Sequence, residues 1–280
     1  MAGLDKRDKR ADLPEPLPRG FLDRRRAAER VSVRRYPPSP ELAHIIDNHF
    51  IIEWSLTPER TEPQRLLPSP QANLIVAPGS ASVFGVHTGL RVDMLQGAGR
   101  VVGSRFRIGG LRPYLDRPVT SLTGGSASAR LVSGMADTQF IATLSREQDD
   151  GDVICALTSI LAASVPLADP AIDLVEAMVD AMRQAGGPMR VETIAKQFCV
   201  TLRQVQRLFH DYVGVPPKWV VRRYRLQETA LRLASADQAS IAAIAAELGY
   251  FDQAHLTRDF RALFGCSPKQ YRVSSERVAP

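Results

Sequence analysis

The apolar positions of the chain change their period near residue 125. Between Val31 and Gly125 they fall in short runs, VSVRRY, HFIIEWSL, NLIVAP, SVFGV, RVDML and RVVGSRFRI, separated by glycine and proline. Alternation places successive side chains on opposite faces of a strand, so these runs predict a β-rich sandwich or barrel. In the last run Val101, Gly103, Arg105 and Arg107 share one face and Val102, Ser104, Phe106 and Ile108 the other. The second face is apolar enough for a core. The arginine face points either to solvent or into a cavity for an acidic small molecule.

Past Gly125 the period becomes helical. Ile154, Leu157, Ile160 and Leu161 form one stripe, and Ile172, Val175, Val179 and Met182 another, which AGGP stops near Ala185. VPLADP, residues 165–170, is the expected hinge. Further helices are predicted at 192–198, 202–212, 217–234, 241–248 and 252–264, with a last turn from Pro268. Pro217 suits a first helical turn, and Asp252 and Ser267 suit N-caps. The fold class is therefore α+β and multidomain: a disordered leader over 1–30, a β-rich sensor or assembly domain over 31–125, a helical linker over 126–170 and an all-α domain over 171–280. The leader's arginines suit a solvated tail, or else a DNA-touching arm. Of the two stripes, one is free to form a symmetric dimer contact, or both pack onto the neighbouring domain.

The all-α region contains an internal double. ETIAKQFCVTLRQVQRLF, ending at Phe209, and ASIAAIAAELGYFDQAHLTRDF, ending at Phe260, share an apolar residue, an alanine, a turn, a second helix and Arg-x-Phe. Aligning Arg207 with Arg258 leaves one extra residue in the second turn. Gly249 supplies the left-handed conformation of a tight turn, whereas the first copy has Cys199 there, which threatens its aim. This is a helix-turn-helix pattern, whose second helix can enter a major groove. Arg203, Gln206 and Arg207, and likewise Gln253, His255, Thr257 and Arg258, face at least partly away from the apolar stripe. Arginine grips a guanine edge and glutamine an adenine edge with paired hydrogen bonds. His255 is alternatively structural or a phosphate contact. Arg222 and Arg223 on the connecting helix are candidates for phosphate contact, as are Thr201 and Thr257.

Charge supports this reading by its distribution. The formal net charge is +6, and from Pro188 onward 14 basic residues face 8 acidic ones, so the last third carries all of it. Cys155, Cys199 and Cys266 have no paired spacing, so neither a disulfide framework nor a zinc site is indicated, and a reducing cytoplasm fits. No apolar run reaches the length of a membrane span, and no cofactor or metal is expected. Three rivals stand beside DNA binding. A cupin-like metal enzyme lacks a His-x-His pair, its histidines being His44, His49 and His87. An alkyl-transfer repair protein needs a nucleophilic cysteine, and Cys155 and Cys199 are read in apolar helical surroundings. A protein-interaction module whose helix-turn-helix units do not bind DNA is the third.

LGYFDQAHLTRDFRALFGCSPKQYR, residues 248–272, resembles the C-terminal signature of the AraC/XylS family of bacterial transcription factors, with Gly-Tyr, Asp-Gln, Arg-x-Phe, Gly-x-Ser-Pro and Tyr-Arg in register. The likeness reaches upstream to about Ile172. It implies seven helices with two helix-turn-helix units joined by a long helix, each entering adjacent major-groove segments. Implied base-reading positions are Arg203, Gln206 and Arg207, then Gln253, Ala254, His255 and Arg258. Implied partners are promoter DNA and RNA polymerase; a second copy of the chain, through an apolar stripe, and a small-molecule effector, at the β-rich domain, are the other partners considered. Residues 31–124 also resemble a β-rich domain that precedes this module in actinobacterial regulators, on YPPSPELAHIIDNHFIIEW, LLPSPQANLIV and VVGSRFRIGG. Ile108 stands where such domains have proline, at an expected loop or pocket rim. An effector carboxylate would pair there with Arg105 or Arg107.

Overall fold

The computed structural model describes residues 30–57, 59–185, 187–235 and 239–276. The expected leader therefore lies outside the described residues, apart from Arg30. Eight strands follow: β1 Val31–Tyr36, β2 Ile46–Ser55, β3 Thr61–Leu66, β4 Asn73–Ala77, β5 Ser80–Phe84, β6 Arg91–Gln96, β7 Ala98–Phe106 and β8 Ser126–Ser128. Six form an antiparallel sheet in the order β1-β2-β7-β4-β5-β8, and β3 pairs with β6 as a separate ribbon. β3 escapes the sequence reading because TEPQRL is polar and carries Pro63, which a ribbon edge tolerates.

The two faces of the sheet are filled differently. Val102 and Phe106 on β7 and Ile51 on β2 are buried in one large core, as the period of two predicts. That core is closed by α1 Arg130–Ser133, α2 Asp137–Ser145 and α3 Asp150–Ala162, whose Val153, Leu157, Ile160 and Leu161 are buried in it. Residues 130–162 thus cover the sheet, whereas 126–128, expected in the helical linker, form its edge strand β8. On the other face the ribbon packs Leu66 and Leu95 with Val31, Val33, Ile52 and Trp54. The N-terminus of α3 is tied to the sheet by charge: Asp150 takes hydrogen bonds from Arg34, Tyr36 and Arg100. Burial alone would raise this carboxyl, but the bonds from Arg34 and Tyr36 outweigh it and hold the group below its ordinary value.

Inside the main core His49 faces Ser104 across the β2/β7 register, with Nδ1 2.8 Å from the serine Oγ. Burial pushes this imidazole down to about 4. The unfolded chain, with a histidine near about 6.5, therefore takes up the proton first as pH falls. Stability is expected to be full above that value, to decline between roughly pH 6.5 and 4, and to level off below, a loss of about 3 kcal/mol from this group. Denaturant titrations of wild type and His49→Leu across that range measure it, the variant being expected to lack this component of the slope.

The helical region comprises α4 Pro170–Gln184, α5 Val191–Gln197, α6 Leu202–Leu208, α7 Pro217–Ala234, α8 Ile241–Glu247, α9 Gln253–Phe264 and α10 Pro268–Glu276, with a π turn over Phe209–Val213. These are the seven helices that the resemblance implied. Asp169 caps α4 through Ala171 N and also accepts from the Tyr212 hydroxyl at 2.7 Å, so the C-terminal end of the expected hinge is tied to the helical region. Both apolar stripes are spent inside the chain: Leu157, Ile160, Leu161 and Ile172 in the sheet core, and Val175, Val179 and Met182 in the next. They leave no free face for the dimer contact considered above.

Sheet and helices also share a core. Val86 and Ile108 are buried with Val175, Met178, Val213 and Val215. Ile108 is thus interior, not a pocket rim, because the segment after β7 turns down onto α4. Arg107 seals the same junction by pairing with Glu176 and, at 2.8 Å, with Asp173. Its charge is already matched by the chain's own carboxylates, which removes it as a ligand for an effector.

Candidate nucleic-acid interface

The two helix-turn-helix units are built from the same backbone hydrogen bonds. In the first, Phe198 N donates to Ile194 O, Cys199 N to Lys196 O and Val200 N to Ala195 O at 3.1, 3.2 and 2.9 Å; in the second, Leu248 N donates to Ile244 O, Gly249 N to Ala246 O and Tyr250 N to Ala245 O at 3.1, 3.0 and 2.9 Å. Cys199 takes a left-handed φ of 53° and Gly249 one of 71°. The doubt about the first turn is answered: cysteine bears the strain and the turn closes. A residue with a Cβ in this conformation costs about 1–2 kcal/mol. Cys199→Gly is therefore expected to raise stability by up to about 1 kcal/mol, the flexibility of glycine in the unfolded chain offsetting part of the gain. Gly249→Ala should act oppositely, because its Cβ would stand 2.5 Å from Pro188 Cβ as well as in strained backbone. Paired melting curves test both signs.

α6 and α9 are the second helices of the two units. Thr201 caps α6 in a capping box, its hydroxyl accepting from Gln204 N at 3.2 Å and donating to Gln204 Oε1 at 2.8 Å. Asp252 caps α9 by accepting from His255 N at 2.6 Å. Val205 and Phe209 anchor the first unit, and Leu256, Phe260 and Phe264 the second, all buried. The connecting helix α7 serves both, with Val220 and Val221 in the first cluster and Leu226, Ala230 and Leu233 in the second. That rigid spine sets the spacing between the reading helices.

Of the predicted base-reading side chains, Arg203, Gln206 and Arg207 on α6 and Gln253, Ala254 and Arg258 on α9 are exposed. His255 departs from the group. Its ring meets Tyr250 edge-on at 5.3 Å, and its Nε2 lies 3.6 Å from Asp259 on the next turn. It braces α9. The four backbone-contact candidates are likewise engaged within the protein. Thr201 is occupied as a cap, Thr257 donates to Gln253 O at 2.8 Å, and Arg222 pairs with Asp259 at 2.7 Å. Arg223, half-buried, donates to Pro68 O at 2.8 Å and to Gln227, and it stacks over Tyr224. It holds the β3–β4 loop against α7. Asp259, which the sequence reading passed over, collects Arg222 and His255, and the His255/Asp259 spacing of four was the signal available for it.

The residues put forward for other chemistries lie apart. His44 Nε2 meets Pro166 O at 3.0 Å, and His49 is the core residue described above. Among the described residues no three histidine, cysteine or acidic side chains cluster as a metal site, and no helix is long and apolar enough to cross a membrane. Cys155 and Cys199 are exposed, contrary to the apolar setting read for them, and Cys266 is half-buried.

A helix-turn-helix domain model matches residues 194–274, and a model described as a domain of unknown function, DUF6597, matches residues 34–128. An HTH-type transcriptional regulator from Haemophilus influenzae is 31% identical over 98 residues, which are 35% of this chain and 33% of that protein. The HTH-type transcriptional activator RhaS of Pectobacterium atrosepticum is 35% identical over 79 residues, 28% of each chain. The chain thus spans about a third of the length of these curated relatives. The DNA-binding domain of AdpA, solved in complex with a target DNA, is 25% identical, with a TM-score of 0.33 over 40% of this chain and 97% of that one. The chain thus carries an AraC-type helix-turn-helix domain at 194–274, preceded by a DUF6597 domain at 34–128.

Proposed function

We propose that the chain is a sequence-specific DNA-binding regulator of transcription. The observation that supports this best is the pair of identically hydrogen-bonded turns, each aiming an exposed arginine, Arg207 or Arg258, from a helix of the basic third of the chain. Double-stranded promoter DNA is the partner, read by Arg203, Gln206 and Arg207 in one major-groove segment and by Gln253, Ala254 and Arg258 in the next. RNA polymerase is the partner on which a promoter-bound regulator acts. The test is a gel shift of genomic fragments at several salt concentrations, followed by mapping of the bound sequences. Binding that weakens steeply with salt and still selects certain fragments supports the reading; fragments bound alike, or not at all, refute it.

An acidic effector is the second part of the proposal, and it rests on Arg105. This side chain lies on the sheet face away from the main core, with Asn73 Oδ1 3.4 Å from its Nε and, among the described residues, no ion pair. Burial, with the charge of Arg35 and of Arg223 nearby, pushes the guanidinium below its ordinary value, and the carboxylate of Asp47 offsets this only in part. A carboxylate ligand would relieve that. Arg223 belongs to α7, so such a ligand would bear on both the sheet and the spine of the reading helices. Calorimetric titration with small organic acids should show binding that Arg105→Ala abolishes.

A further inference from the structure

The one-residue difference between the two turns falls on a single side chain. Up to the turn the units match at an offset of 50, Val200 N bonding Ala195 O as Tyr250 N bonds Ala245 O. From the N-caps onward, Thr201 against Asp252, the offset is 51. The extra residue is Phe251. Its ring is 93% exposed, whereas Tyr250 beside it is 5% exposed. Single exposed apolar residues are ordinary on protein surfaces, and Leu167, 91% exposed in the α3–α4 loop, is one. Phe251 differs in position. It directly precedes the N-cap of α9, at the end of a reading helix that enters a groove first, and Asp252, Gln253 and Ala254 after it are exposed too.

We infer that Phe251 is a specificity-determining DNA contact, which with Ala254 forms an apolar corner that reads a thymine methyl group in the segment read by α9. A phenyl ring offers no hydrogen bond to a base edge, so what it can select is the one apolar feature of the major groove, the thymine 5-methyl. The inserted position carries the ring beyond the capped end of α9, and the first unit, which lacks the insertion, has no counterpart. Lying outside the cores, the ring is dispensable for folding. The inference rests on the proposed function.

The experiment uses the full chain and a mapped site, in which each thymine of the α9 segment is replaced in turn by deoxyuridine, which removes only the methyl. Wild type should lose roughly threefold to tenfold in affinity at one position, as expected for one buried methyl, and nothing at the others. Phe251→Ala should bind the thymine site with a similar deficit, melt at the wild-type temperature and be indifferent to deoxyuridine. Equal sensitivity of variant and wild type, no sensitivity in either, or a lowered melting temperature of the variant overturns the inference while leaving DNA reading intact. A wild-type chain without sequence preference overturns the proposed function and this inference together.

Discussion

Arg207→Ala is expected to lower affinity for a preferred site by roughly tenfold to a hundredfold, the loss of one bidentate arginine contact of about 1–3 kcal/mol, and Arg258→Ala to lower it less. The asymmetry comes from what surrounds each arginine. On α6, Arg203, Gln206 and Arg207 are all exposed, three long side chains on one short helix. On α9, His255 is drawn toward Tyr250 and Asp259, which leaves Gln253 and Arg258 as the long exposed ones of the predicted set. A left-handed Cys199 closes the first turn with the same bonds as the second, so nothing in the backbone mis-aims α6. Binding of each variant to a series of sites with every base pair changed measures both the loss and its position. Equal losses, or a larger one at Arg258, contradict the expectation that the first unit reads more sequence.

Phe260→Ala is expected to cost about 3–5 kcal/mol, the range for removing a wholly buried aromatic ring. The ring is inaccessible, stacks on Phe264 with centroids 4.1 Å apart and meets Tyr271 edge-on at 5.4 Å. This cluster holds α7, α8, α9 and α10 together, whereas the first unit is held by a separate cluster containing Val205 and Phe209. The damage should therefore be uneven. Hydrogen exchange should rise over 241–276 more than over 191–213, and footprints should retract from the half of the site read by α9. Uniform loosening of both units, or a loss below about 1 kcal/mol, would show that the two clusters act as one or that the site collapses around the gap.

Much of this molecule was legible in local pattern. Period-two runs located the sheet strands β1, β2, β4, β5 and β7, and helical stripes with Pro217, Asp252 and the AGGP stop located α3 to α9 to within a few residues, whereas α1 and α2 were not read. Such features are decided by neighbours in the chain: where a side chain points, which residue caps, which tolerates a left-handed turn. The doubled helix-turn-helix belonged to the same class of signal, and so did the exposed faces of α6 and α9. The ribbon strand β3 was not legible, because a polar edge strand is defined by its partner β6 and not by its own alternation.

Only the tertiary structure decided which polar residues were already committed. Arg222 and Arg223 are consecutive and chemically identical, yet one pairs with Asp259 from α9 and the other with the carbonyl of Pro68, 155 residues earlier. Arg105 and Arg107 were equal candidates on one strand face, until the chain turned after β7 and set Arg107 against Asp173 and Glu176 on α4. The stripes for which a second copy and the neighbouring domain were equal alternatives are taken up by the sheet and by α5–α7. Local periodicity states that a surface is apolar or charged. The partner that takes it up is chosen by the folding of distant segments into contact, where burial makes an unpaired charge or an uncovered stripe costly.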